Sequence, residues 1–177
     1  SAVAMGTIRG AQIALGKNGR VHVAWNGSGV AKPRGPLNPD MPADSPYNGT
    51  PMLYTRLADG GKSFEPQRNV MMKSFGLDGG GSVAADRQGN VYVAWHGKTA
   101  GAAEGEAGRR VWIARSGNDG KTFATEEAAG DGSTISPALH VLDAAQPMAL
   151  VEVSTVNLHD LGWADSDLVV SNNQVYV

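Results

Sequence analysis

Gly19-Arg20-Val21-His22-Val23-Ala24-Trp25 and Gly89-Asn90-Val91-Tyr92-Val93-Ala94-Trp95 are one phrase written twice, with tryptophans at 25 and 95, an offset of 70 residues. In each copy a glycine supplies a tight turn, and apolar residues at alternate positions then give a strand with one apolar face. Upstream, Ile13 falls on Val83 at the same offset, so each phrase is the second strand of a strand, turn, strand unit. A repeat of this kind constrains the architecture before any single element is placed.

Working outward, Met52-Leu53-Tyr54-Thr55-Arg56 followed by Asp59-Gly60-Gly61-Lys62-Ser63-Phe64 aligns with Val111-Trp112-Ile113-Ala114-Arg115 followed by Asn118-Asp119-Gly120-Lys121-Thr122-Phe123. The phenylalanines, at 64 and 123, stand at an offset of 59. The shorter offset places extra chain between the second and third strands of the first copy. Each copy therefore reads as four antiparallel strands, which is one propeller blade. Strands are expected near 11–15, 20–25, 52–57 and 64–69, then 82–86, 90–95, 110–115 and 123–127. Phe64 and Phe123 are expected to be buried, Lys62 and Lys121 exposed.

The turn Ser116-Gly117-Asn118-Asp119-Gly120-Lys121-Thr122-Phe123 resembles the Asp-box (BNR) repeat of sialidases, Ser-x-Asp-x-Gly-x-Thr-Trp or Phe. The chemistry suits a hairpin: an Asp or Asn side chain bonds the turn's own backbone, glycine accepts positive φ, and the aromatic anchors the turn on the sheet. Asn118 stands where Asp is usual, and Leu57 replaces the opening Ser of the first box. The resemblance implies an all-β segment of about two to three four-stranded blades: 8–70 as blade one, 75–130 as blade two, and 133–177 as a degraded or incomplete third. In that tail Leu168-Val169-Val170-Ser171-Asn172-Asn173 echoes Ile113-Ala114-Arg115-Ser116-Gly117-Asn118 without completing the box. Propellers close with typically four to eight blades, so the expected partners include the remaining blades of a longer chain or another copy.

Composition sets outer bounds. The formal charge is −2 and no Lys/Arg cluster interleaves with aromatics, so no nucleic-acid partner is expected. No apolar run approaches the ~20 residues that cross a bilayer as a helix. The opening Ser1-Ala2-Val3-Ala4-Met5-Gly6 lacks the pattern of a signal peptide. With no cysteine, and with His22, His96, His140 and His159 scattered, neither a metal nor another cofactor is expected. Trp25 and Trp95, at one repeat position, read as blade packing. Asn26-Gly27-Ser28 and Asn48-Gly49-Thr50 are glycosylation sequons by pattern.

The connection between strands two and three lies at the opposite end of a blade from the Asp-box turn. In the first copy it runs from Asn26 to Pro51 and holds six of the nine prolines. Pro33, Pro36, Pro39 and Pro42, at a spacing of three, favour extended polyproline geometry. It reads either as a stiff surface loop or as a wall beside a ligand pocket. Sialidases resemble this chain in order: an Arg ahead of the first inner strand, a loop carrying the acid/base Asp, then a strand leading to the first Asp box. The resemblance implies that Arg9 grips the sialic-acid carboxylate, for which a planar guanidinium is suited, and that Asp40 or Asp44 protonates the glycosidic oxygen. Asp78, at the mouth of the second inner strand, joins the same ligand face.

The family's Arg-Ile-Pro start is Arg9-Gly10-Ala11 here, Asn26-Gly27-Ser28 stands where the second triad Arg is expected, and the tyrosine nucleophile of sialidases is not assignable. Two functions follow. One is a secreted or periplasmic exo-sialidase-like glycosidase, or a fragment of one, cleaving terminal sialic acids from glycans. The other is a non-catalytic Asp-box propeller module that binds glycan or protein.

Overall fold

The computed structural model describes residues 10–124, apart from the side chains of Asp78 and Glu106, and beyond them the backbone of 127–128, 138–143, 151–157, 169–171 and 174–176. These residues are all-β, in three four-stranded antiparallel sheets. The helical pieces among them are two single 3-10 turns, Lys17–Gly19 and Glu106–Gly108. The first sheet is the plain meander β1 (Gln12–Leu15), β2 (Val21–Asn26), β3 (Met52–Arg56), β4 (Arg68–Asn69). The second repeats it with β5 (Phe75–Ala85), β6 (Val91–Lys98), β7 (Arg110–Ser116), β8 (Glu127–Ala128). In the third, β9 (Ala138–Asp143) lies between β10 (Val151–Asn157) and β12 (Gln174–Tyr176), and β11 (Val169–Ser171) is at the edge.

The inner strands fall where the repeat puts them, and the outer ones are shorter than expected. After the bridge between Leu57 and Phe64, the ladder resumes only at β4. Pro66 sits in that gap and has no N–H to donate. Conversely β5 starts at Phe75, well before the expected 82. Gly76 and Gly79, at φ 64° and 71°, let the strand bulge twice and still pair with β6.

Alternation gives the first two sheets two apolar faces each. One face of the first sheet presents Ala14, His22, Ala24, Met52 and Tyr54; the other presents Ile13, Val23, Trp25, Leu53 and Thr55. The core lies between sheets, where Ala14, Ala24, Met52 and Tyr54 pack on Val83, Val93, Trp95, Trp112 and Ala114 of the second sheet. The repeat partners of the first sheet's second face are thus what the second sheet buries against the first. Close approach also requires glycine: a methyl on Gly81 would overlap Met52, and one on Gly120 would overlap the Tyr54 hydroxyl.

Of the two phenylalanines, Phe123 is partly buried, its ring edge-on to Tyr54 at 4.8 Å and 76°. Phe64 is 49% exposed, contrary to expectation, because no described sheet stands where Tyr54 stands for Phe123. Lys62 and Lys121 are both exposed, as expected.

This packing predicts unequal costs for equivalent positions. Trp95→Ala, at a residue 2% exposed, should lower unfolding free energy by about 3–5 kcal/mol. Ile13→Ala, at 67% exposed, should stay within about 0.5 kcal/mol. Urea denaturation of both variants checks this; equal losses would show that the first sheet's second face is covered.

Candidate functional site

Strand register sorts the chain's features to two ends. Gln12 pairs with Ala24, Asn26 with Met52, Phe75 with Lys98, and Gly97 with Arg110. The start of β1, the 27–51 loop, the start of β5 and the 99–109 loop therefore share one end. The turns at 16–20, 57–67, 86–90 and 117–124 share the other.

At the loop end, the 27–51 segment is a self-packed plug built on Asn48. Only 1% exposed, Asn48 donates from Nδ2 to the carbonyls of Asn38, Met41 and Pro42 at 3.1, 3.2 and 3.1 Å, and its Oδ1 accepts the Asn38 N–H at 2.7 Å. Arg34 Nη2 donates to the Asn48 carbonyl at 2.6 Å. The plug is stitched to the sheet by the Gly27 N–H bonding Pro51 O at 2.8 Å and by Gln67 donating to Lys32 O. Ala31 packs on Trp25 and Leu53. A proline-rich loop is thus held in one shape by side-chain amides that replace a backbone ladder.

On this plug the carboxylates of Asp40 and Asp44 are exposed, each free of hydrogen bonds and ion pairs among the described residues; the Asp40 backbone N–H bonds Asn38 Oδ1 at 3.0 Å. Asp78 lies on β5 at the same end, its backbone opposite His96. Arg9 lies outside the described residues. Two arginines at this end carry no repeat signal in the sequence. Arg34 braces the plug, and Arg109, in the connection whose counterpart in the first copy is the plug, donates to Gly76 O at 2.9 Å. Asn26 is 2% exposed and donates from Nδ2 to Gly79 O at 2.6 Å, tying the plug end of the first sheet to the bulged start of β5. Both sequon asparagines are therefore sealed as acceptors for a glycan.

The turn end holds a polar cluster between sheets that the sequence pattern does not announce. Asp119, in the 117–124 turn, bonds Arg20 Nε, and its carbonyl accepts from Arg56 Nη1 at 2.9 Å. Arg56, 2% exposed, also forks onto Glu65 Oε1 at 2.9 and 2.6 Å. Arg20 reaches Asp59 at 2.7 Å. His22 Nδ1 and the Tyr54 hydroxyl are 2.7 Å apart, while His22 Nε2 and Asp119 Oδ1, at 3.6 Å, are too far for a direct hydrogen bond. Phenol, imidazole and carboxylate stand in succession, but His22 and Tyr54 are both 0% exposed, so the group ties sheets together and meets no substrate.

Burial holds the His22 imidazole down to about 4, with Arg20 and Arg56 adding to the effect and Asp119 opposing it. Burial likewise raises the Tyr54 phenol. The hydrogen bond from Arg56 holds the Glu65 carboxyl below its usual range.

The 116–123 turn closes on its own side chains. The Ser116 hydroxyl donates to Asn118 Oδ1 at 2.9 Å and accepts the Gly120 N–H at 2.9 Å. Asn118 Oδ1 also accepts the Thr122 N–H at 2.9 Å, and Nδ2 donates to Thr122 Oγ1 at 2.8 Å. The amide at 118 supplies a donor that a carboxylate lacks. In the first copy Asp59 turns instead to Arg20.

The solved structure of Hadza microbial sialidase Hz136 is similar to this chain. The match covers 68% of this chain and 25% of that one, at 18% identity and a TM-score of 0.47, so the chain spans about a quarter of the length of that protein. No protein-family model and no curated protein matches the chain.

Two expectations follow from these geometries. Folded His22 stays neutral to about pH 4 while an unfolded histidine takes up its proton near 6.5, so the unfolded state binds more protons in that window and stability falls with pH there. Below about 4.5 the depressed Glu65 adds to the loss. Urea denaturation between pH 7 and 4.5 should show a slope approaching about 1.4 kcal/mol per pH unit, flattened by His22→Gln; a pH-independent midpoint would contradict the burial of His22. Separately, protein secreted from a glycosylating host should carry no glycan on Asn26 or Asn48, read by intact mass before and after enzymatic deglycosylation.

Proposed function

We propose that the chain is part of an exo-sialidase-like glycosidase whose loop end receives the terminal sialic acid of a glycan. The observation that carries this reading is the sorting of strand ends. The start of β1, the Asn48 plug with Asp40 and Asp44, and the Asp78 end of β5 share one end, with the turns that resemble Asp boxes at the other. In this reading Arg9 pairs with the sugar carboxylate, a bidentate contact suited to guanidinium, and Asp78 contacts the same ligand. Asp40 or Asp44 gives a proton to the departing oxygen. A substrate entering against the plug would take that carboxyl out of water and raise its pKa toward what a general acid requires. A secreted or periplasmic location goes with such a substrate.

One observation favours the second reading, a non-catalytic Asp-box module that binds glycan. Tyr54 and Tyr92 are each 0% exposed and unavailable as nucleophiles. Tyr47, on the plug, is 77% exposed. Among the described residues, Tyr47 is therefore the tyrosine left open to a ligand.

A fluorogenic sialoside and a non-hydrolysed sialoside probe separate the two readings. The enzyme reading expects turnover that falls about 10²–10⁴-fold in Asp40→Asn or Asp44→Asn, and weakened carboxylate binding in Arg9→Ala. Binding without turnover assigns the module. Turnover unchanged in all three variants would remove Arg9, Asp40 and Asp44 from the site.

A further inference from the structure

At the turn end, the first two sheets enclose a polar cleft of about 360 Å³. The first sheet's turns contribute Lys17, Arg20 and Asp59 to its lining, and the second sheet's turns contribute Gln88, Asn118 and Lys121. Its charge is unbalanced. The cations Lys17, Arg20, Arg56 and Lys121 stand at this junction against two carboxylates, Asp59 and Asp119. Glu65 is matched by Arg68 at 2.7 Å and leaves that surplus of cations unchanged.

The two guanidinium groups are already engaged. Arg20 holds Asp119 through Nε and Asp59 through Nη2, the latter at 2.7 Å, while Arg56 holds Glu65 and the Asp119 carbonyl. The Asp119 carboxylate is turned inward, with Oδ2 toward Arg20 and Arg56 and Oδ1 toward the buried His22. What the cleft offers to solvent as positive charge is therefore the two ammonium groups. Lys121 is 56% exposed, its Nζ 4.0 Å from Asp59 Oδ2. Lys17 is exposed and carries no ion pair among the described residues. The Lys17 stem crosses from the first sheet's turn to the second's: a Cβ built on Gly89 would lie 3.4 Å from Lys17 Cδ and 3.6 Å from Asp119 Cβ. At φ 98°, position 89 favours glycine, so no side chain stands between the two.

We propose that this cleft binds a tetrahedral oxyanion, a sulfate or phosphate group, across the junction of the first two sheets. Lysine ammonium groups are point charges that accept such a group in many orientations, whereas a planar carboxylate is matched best by the guanidinium fork, and both forks here are occupied. The side-chain amides of Asn18 and Gln88, which also line the cleft, add neutral donors. The bound charge offsets the surplus that Lys17 and Lys121 bring to the junction. The site lies at the opposite end from Asp40, Asp44 and Asp78, and it stands apart from any sialoside chemistry there.

The test is a titration of the full chain near neutral pH, at constant ionic strength set with chloride, using sulfate, phosphate and acetate and following backbone amide shifts by NMR. Sulfate and phosphate should move the Gly89, Gly117 and Lys121 amides along a saturating curve that acetate does not reproduce. Lys17→Ala or Lys121→Ala should weaken sulfate binding about tenfold, and Lys17→Arg should retain it. Asp59→Asn, which removes the carboxylate competing for Lys121, should tighten it. An O-sulfated N-acetylglucosamine separates the two sources of the group: tighter binding than sulfate, with the unsulfated sugar silent, assigns a sulfated saccharide, and equal or weaker binding assigns the free ion. Shifts that never reach a plateau overturn the proposal, as do equal shifts with acetate or sulfate binding that persists unchanged when Lys17→Ala and Lys121→Ala are combined.

Discussion

A strand with apolar residues on both faces cannot be satisfied by one neighbour. β3 is buried at all five positions, and β6 at six of eight, so each of the first two sheets is an inner layer that needs cover from two sides. The rest of the structure follows from that constraint. One face of the first sheet is covered by the second sheet, and part of the other is covered by the chain's own 27–51 plug through Ala31. Stacked repeats share this dependence on neighbours, which is why stability in such proteins resides in interfaces as much as in units.

The two ends of the stack are held by different chemistry. At the turn end, Arg20 and Arg56 converge on Asp119, and Gly120 admits the Tyr54 hydroxyl where a side chain would collide. Buried ions of this kind are tolerable only when fully partnered, and Arg56 reaches Glu65 and Asp119 together. At the loop end the sheets are joined by Asn26 and Gly79, and the plug hangs on the amide of Asn48. There the carboxylates at 40 and 44 are exposed on the surface of the plug.

Much of this was legible in the sequence, because the repeat is carried by residues that face the core. Val93 and Trp95 match Val23 and Trp25 since each set packs on a sheet, and the central strands fell in place accordingly. The outer strands were less legible: Pro66 interrupts one ladder, and paired glycines extend β5 beyond its apolar run. Phe64 departs from its expected burial for a physical reason. Its type records the environment the repeat supplies, whereas its exposure records what stands beside it in this chain. The Asn48 plug and the Arg20, Arg56, Asp119 cluster were invisible, because both depend on single polar side chains meeting across residues distant in sequence. For the candidate site, order along the chain and strand direction place Asp40, Asp44 and Asp78 at one end.

The central claim is that the first two sheets form one cooperative body because each buries the other's face. Native-state hydrogen exchange in rising urea reads this directly. Amides of β2 and β3 and those of β6 and β7 should merge onto a single opening isotherm at the global unfolding free energy. Two isotherms, with β2 and β3 opening at lower urea while β6 and β7 stay protected, would contradict it.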